Sequence, residues 1–247
     1  MKIKCPACGA ENYFTGLEDE ETRFCNSCNE PLFKIGKEKT YNAFLGSKQI
    51  IDSQGLLERI QLGIKKDFKQ DYLIRIFKNS IIAESVIRRL LDNKGIDQNK
   101  YVLSNTKWVS ILFEFIYFYL HLTDRFAFGH MNEERRGSLM TDLEEVCITA
   151  AVDAVCLRWP EDIKEKIKEE CMGNFYISMA EYSKCKKWFP KKDEGAKGTL
   201  FWEFVKTIAK LAGQEHVVIF KLTVMQIATN SLKDLDIKSF IKRVKVI

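Results

Sequence analysis

From Ile64 onward, apolar residues recur at intervals that an α-helix would gather onto one face. In "KKDFKQDYLIRIFKNSIIAESVIRRLLDNKG" the positions Phe68, Tyr72 and Ile76, then Ile82, Val86 and Leu90, step by four. That spacing predicts a helical stripe, and Gly95 supplies a C-terminal stop. A second helix is expected over about residues 104–128, ending near Gly129. "SLMTDLEEVCITAAVDAVCLRW" predicts a third, with Thr141 and Glu144 spaced as a capping box and Pro160 closing it. "EDIKEKIKEECMGNFYISMAEYSKCKKWF" opens on acids and ends on lysines, which suits the helix dipole. Gly173 is a candidate break in it, and Pro190 with the "KKDEGAKG" loop ends it. "TLFWEFVKTIAKLAG" stops at Gly213. "EHVVIFKLTVMQIATNSL" is rich in β-branched residues, but reads as helix because no strand partner is apparent; "DIKSFIKRVKVI" is short and basic. The expectation is a mainly α protein whose residues 64–247 form an irregular bundle of six to seven helices.

The first 37 residues follow no helical period. Residues 1–37 hold Cys5, Cys8, Cys25 and Cys28 with the turn formers Pro6, Gly9, Gly16 and Pro31. Residues 38–63, interrupted by Gly46, Gly55 and Gly63, read as a connector that is helical in part. A segment as short as residues 1–37 cannot build a sufficient apolar core and needs another source of folding free energy. The cysteines offer one. Two Cys-x-x-Cys pairs, Cys5/Cys8 and Cys25/Cys28, are separated by sixteen residues. Two residues between thiolates let one tight turn present both sulfurs to a tetrahedral ion. Two such turns make a four-thiolate site suited to one structural Zn2+. A rubredoxin-type iron site and a redox disulfide are the weaker alternatives.

"CPACGAEN" followed by "FCNSCNEPL" resembles the zinc-ribbon family, over residues 1–37 only. The resemblance implies a small β module that binds nucleic acid or protein, or serves as a rigid knob. Asn29 stands where the family commonly has Gly after the last Cys; Asn tolerates the left-handed backbone this needs. A closed four-thiolate site leaves no open coordination position for catalysis. Residues 1–40 carry six Lys or Arg against seven Asp or Glu, a balance poorly suited to phosphates. That favours protein contact for the ribbon.

Composition adds limits. The 247 residues include 46% hydrophobic and 30% charged positions, with a formal net charge of +5. This is an ordinary globular balance with a mild basic excess. No signal peptide is apparent at "MKIKCPACGA", and unexported cysteine pairs read as metal ligands in a reducing compartment. A cytoplasmic location is expected. The greasiest stretch, Val109 to Phe128, carries Glu114, His121, Asp124 and Arg125. Such groups are too costly at bilayer depth for a membrane span.

Those ionisable groups are the main candidate site. At roughly 100° per residue, with Glu114 at zero, His121 falls near about −20° and Arg125 near about +20°. Tyr117 and Asp124 lie along the edge of this stripe. The following helix repeats the pattern with Asp142, Glu145, Thr149 and Asp153. Consecutive helices joined by a short turn pack antiparallel, so facing stripes would pair Arg125 with Asp142 or Glu145, and His121 with a carboxylate. One reading is a structural ion-pair network. The other is a metal-dependent enzyme or small-ligand pocket, although no Glu-x-x-His motif is present and Arg125 would repel a cation. Cys147, Cys156, Cys171 and Cys185 lack ligand spacing and read as core. No phosphate loop, nucleophile elbow or zincin motif appears.

A last feature is "SKCKKWFPKKDEGAKG", Ser183–Gly198, with six Lys against two acids around Trp188 and Phe189. Lys186, Lys187, Lys191 and Lys192 with Trp188 form a candidate nucleic-acid contact through phosphate pairing and base stacking. A solvated helix end with Trp188 turned inward is the competing reading. Taken together, the residues favour a non-enzymatic zinc-ribbon binding or adaptor protein that makes protein contacts. A nucleic-acid-associated protein and a polar-stripe enzyme or ligand binder are the alternatives.

Overall fold

The structure, a computed structural model, describes residues 2–4, 10–13, 23–24, 27, 31–33, 56–58, 60–61, 69–92, 105–156, 159–189 and 196–246. The cysteines of both Cys-x-x-Cys pairs, Phe68, the stop at Gly95, and Lys191 and Lys192 lie outside these residues. Four short strands form two antiparallel pairs: β1 (Lys2–Lys4) with β2 (Glu11–Tyr13), and β3 (Arg23–Phe24) with β4 (Pro31–Phe33). Lys2 pairs with Tyr13 and Lys4 with Glu11; the register of the second pair shifts between Arg23 and Phe24.

The remainder is mainly helical. The helices are α1 (Gln70–Asp92), α2 (Asn105–Phe128), α3 (Glu133–Val155), α4 (Glu161–Ser183), α5 (Leu200–Leu211), α6 (Val218–Leu235) and α7 (Ile237–Val246). Residues 56–58 and 60–61 are also helical, and Leu56 and Ile60 join the bundle core. None of the described helices is long and apolar enough to cross a membrane.

Helix α2 is the axis of the bundle. It packs against α1, α3, α4, α5 and α7, and every residue from Trp108 to Thr123 is buried. A helix that is apolar nearly all round needs neighbours on every side. Aromatic contacts radiate from it. Phe118 stacks on Phe204 of α5 at 3.9 Å and meets Phe201 edge-on at 5.0 Å. Tyr117 contacts Phe175 of α4 at 5.8 Å. Tyr72 of α1 stacks on Phe240 of α7 at 3.8 Å. Each buried ring removes a large apolar surface from water and gains from offset or edge geometry.

Several helix boundaries follow local chemistry. Gly213 ends α5 with φ +66, the left-handed backbone that glycine adopts without penalty. Two expectations are corrected. Helix α3 starts at Glu133, capped by the Asn132 side chain accepting from the Arg135 amide at 2.9 Å, so Thr141 lies inside it and not at its start. Helix α4 runs unbroken through Gly173, where one glycine costs about 1 kcal/mol and long flanking turns outweigh it.

The stripe of α1 also differs from its four-step reading. Tyr72 and Ile76 are buried, but Ile82 is 48% exposed and Val86 and Leu90 are only half-buried. The buried line continues instead through Ala83, Ile87 and Leu91. The step from Ile76 to Ile82 is six residues, about −120° on a helix, so the second set leaves the core face, whereas Ala83 lies only about −20° from Ile76.

Candidate functional site

Glu114, His121 and Arg125 do share one face of α2, and that face looks at α4 and the chain just after it. Glu114 is 0% exposed and accepts from the hydroxyl of Tyr182. His121 is 2% exposed, and its Nδ1 lies 3.3 Å from the Met179 sulfur. Arg125 donates through a terminal nitrogen to the Cys185 carbonyl at 2.6 Å. Tyr117, on the edge of the stripe, donates to the Cys171 carbonyl at 2.8 Å. Burial, with the Arg125 charge one turn away as a second cause, pushes the His121 imidazole down to about 4. At neutral pH it is therefore an uncharged ring packed at 5.5 Å against Tyr182.

The acids of α3 do not meet these groups. Asp142 pairs with Lys69, ahead of α1. Asp153 lies 3.3 Å from Lys168 of α4, which also reaches Glu165 at 2.9 Å. Glu145 is exposed. The side of α2 that does face α3 carries Asp124, which accepts from Arg136 at 2.8 Å. Desolvation raises the Asp124 carboxyl, and Arg136 offsets this only in part. Beside it, Glu144 accepts from Tyr176 at 2.8 Å and is raised, first by burial.

The two polar stripes are thus separate. The pairings of Arg125 with Asp142 or Glu145, and of His121 with a carboxylate, are not formed among the described residues. The reason is rotational. The α2 stripe faces α4, where Tyr182, Met179 and the Cys185 carbonyl meet it, while the side of α2 toward α3 is the one that carries Asp124. Among the described residues no group of three or more His, Cys, Asp or Glu is placed to hold a metal ion. The buried thiols are free and raised by desolvation, Cys156 to about 12, so they behave as small apolar core groups.

The lysine-rich loop has pinned ends. The Leu200 amide donates to the Lys187 carbonyl at 2.8 Å and the Phe201 amide to the Trp188 carbonyl at 3.2 Å. Trp188 packs against the core, and Phe189 stacks on Phe201 at 4.1 Å. Trp188 is therefore turned inward and is not presented for base stacking, while Lys186 and Lys187 are exposed.

Two surfaces were not picked out by sequence reasoning. One is a groove of about 680 Å³ between the end of α4, α5 and the start of α6, lined by Lys184, Trp202, Lys206, Lys210 and Lys221 together with Glu181, Glu203 and Glu215. The other is the outer face of α6. Val218 is 59% exposed, Ile219 72% and Leu222 54%. With Val218 at zero, Leu222 falls at about +40°, Met225 at about −20° and Ile219 at about +100°. The inner face is Phe220, Val224, Ala228 and Leu235, all buried. The first turns of α6 therefore expose apolar Val218, Ile219 and Leu222 away from the buried face, while Met225 is partly buried against the core. The signal was present in "VVIFKLTVM", where apolar residues leave little room for a polar face.

Comparison with known proteins gives no match: no family model, no curated protein and no solved structure matches the chain.

Proposed function

We propose that this chain is a non-enzymatic binding or adaptor protein that makes protein contacts, with a zinc-binding ribbon at its N-terminus. The observation that carries the reading is the outer face of α6. Val218, Ile219 and Leu222 all stand more than half exposed on adjoining positions of a helix whose opposite face is fully packed. Bulky apolar side chains clustered on a solvent-facing helix mark an interaction surface, whereas scattered ones do not. The buried state of Glu114 and His121, each engaged by α4, supports a structural role for the α2 stripe.

For the ribbon, support comes from the strand pairs. Cys5 and Cys8 fall in the connection between β1 and β2, and Cys25 and Cys28 in that between β3 and β4. Two hairpins, each with a thiolate pair in its connection, suit one tetrahedral Zn2+ held by all four cysteines.

A photo-crosslinking residue at position 219, placed in the full-length chain in its native cell, tests the contact reading. The expected result is a discrete adduct with another protein, lost in Leu222→Glu and absent when the probe sits at exposed Lys166. Adducts that are equally abundant at both positions would count against it.

A further inference from the structure

We infer that the outer face of α6 and the neighbouring groove form one continuous docking surface for an acidic amphipathic helix of a partner protein. The inference rests on the protein-contact reading and adds the chemistry of the partner. Lys221 joins the two parts. It lies at about −60° from Val218 on the helix wheel, at the border of the apolar face. Its ammonium sits 5.4 Å from the centre of the Trp202 ring, inside the groove. An occupant crossing from the apolar face would therefore meet lysine next.

The charge of the groove selects the occupant. Lys206 is engaged by Glu203 at 2.5 Å, and Glu203 also accepts from the Gly198 amide at 3.2 Å. Among the described residues, Lys184 and Lys210 have no ion-pair partner, and Lys221 has only the face of Trp202. Lys186 and Lys187 extend the positive surface beyond the rim. Glu181 and Glu215 also line the groove, so the surface is cationic without being uniformly so.

Shape selects between classes of partner. Small-molecule pockets are enclosed, while this groove is half open to solvent and carries four lysines in an otherwise largely apolar lining. A lipid surface would use the exposed apolar residues but would leave a concave groove unfilled. A helix with apolar anchors three and four residues apart, flanked by Asp or Glu, satisfies both parts.

The test is a yeast-displayed library of helical peptides, randomised at apolar and charged positions and selected against the purified full-length chain. The expected outcome is enrichment of sequences with Asp or Glu beside apolar residues at helical spacing. Their binding should fall by about tenfold or more in Leu222→Glu and in Lys210→Glu, with unchanged thermal unfolding. Enrichment without acidic excess, or binding indifferent to both variants, would overturn the inference. So would binding to phosphatidylserine vesicles lost in the same variants with no peptide enriched, or a homodimer in sedimentation that Leu222→Glu dissociates. If crosslinks from position 219 to another protein persist while no acidic preference emerges, the contact reading stands and this inference fails. If no crosslink forms at all, the contact reading itself has failed.

Discussion

The hydroxyl of Tyr182, near the end of α4, donates to the carboxyl of Glu114 in the middle of α2. Both side chains are buried. Removing one partner of a buried polar pair costs the desolvation of the group left behind, about 1–3 kcal/mol. Tyr182→Phe should destabilise the bundle by that amount in urea unfolding, with the m-value unchanged. In a cycle with Glu114→Gln the two effects should be non-additive, because they act on one interaction. Simple additivity would mean that the pair contributes nothing.

His121 should make stability fall in mild acid. Its folded pKa is lowered from 6.5 to about 4, so between those values the unfolded chain binds the proton and the folded chain does not. Its contribution is full above pH 6.5 and is lost progressively down to about pH 4. The loss is on the order of 3 kcal/mol. Asp124, Glu84 and Glu144 act oppositely, since burial raises their carboxyls and the folded form takes up protons first as pH drops. The difference between the wild-type and His121→Leu profiles isolates the histidine. The variant should lack the acid slope between pH 6.5 and 4.

Phe118 stacks on Phe204 and meets Phe201 edge-on, which ties α2 to α5. Phe118→Ala should cost about 3–5 kcal/mol, the range for deleting a buried aromatic ring. Equilibrium denaturation measures it directly. A cost below 1 kcal/mol would mean that the bundle collapses freely around the gap.

The cysteine reading predicts one Zn2+ per chain by elemental analysis of protein purified without added chelator. Cys5→Ser combined with Cys28→Ser should lower that to none. Stoichiometric iron with a visible absorption band would replace zinc by a rubredoxin-type centre.

Much of the fold was legible because its signals are local. Gly213 and the long apolar run of α2 each act within a few residues of themselves. The start of α3 was misplaced because Asn132 competes with Thr141 as a cap, and only the turn after Gly129 decides between them. The shared face of Glu114, His121 and Arg125 followed from helix geometry, but their partners did not. Which neighbour a face meets depends on how α3 and α4 pack around α2. Tyr182, Met179 and the Cys185 carbonyl are 58 to 68 residues away in sequence. The outer face of α6 was visible as an excess of apolar residues, yet nothing local tells which of them a bundle will cover.

Oxidative footprinting of Ile219 and Leu222 addresses the contact surface most directly, because both are more than half exposed in the isolated chain. Labelling of the purified protein and of the protein inside its native cells would be compared, with exposed Tyr176 as the internal standard. The result expected is strong labelling of both residues in the purified chain and protection of both in the cell, with Tyr176 unchanged. Equal labelling of Ile219 and Leu222 in the two settings would contradict a protein-contact role for α6.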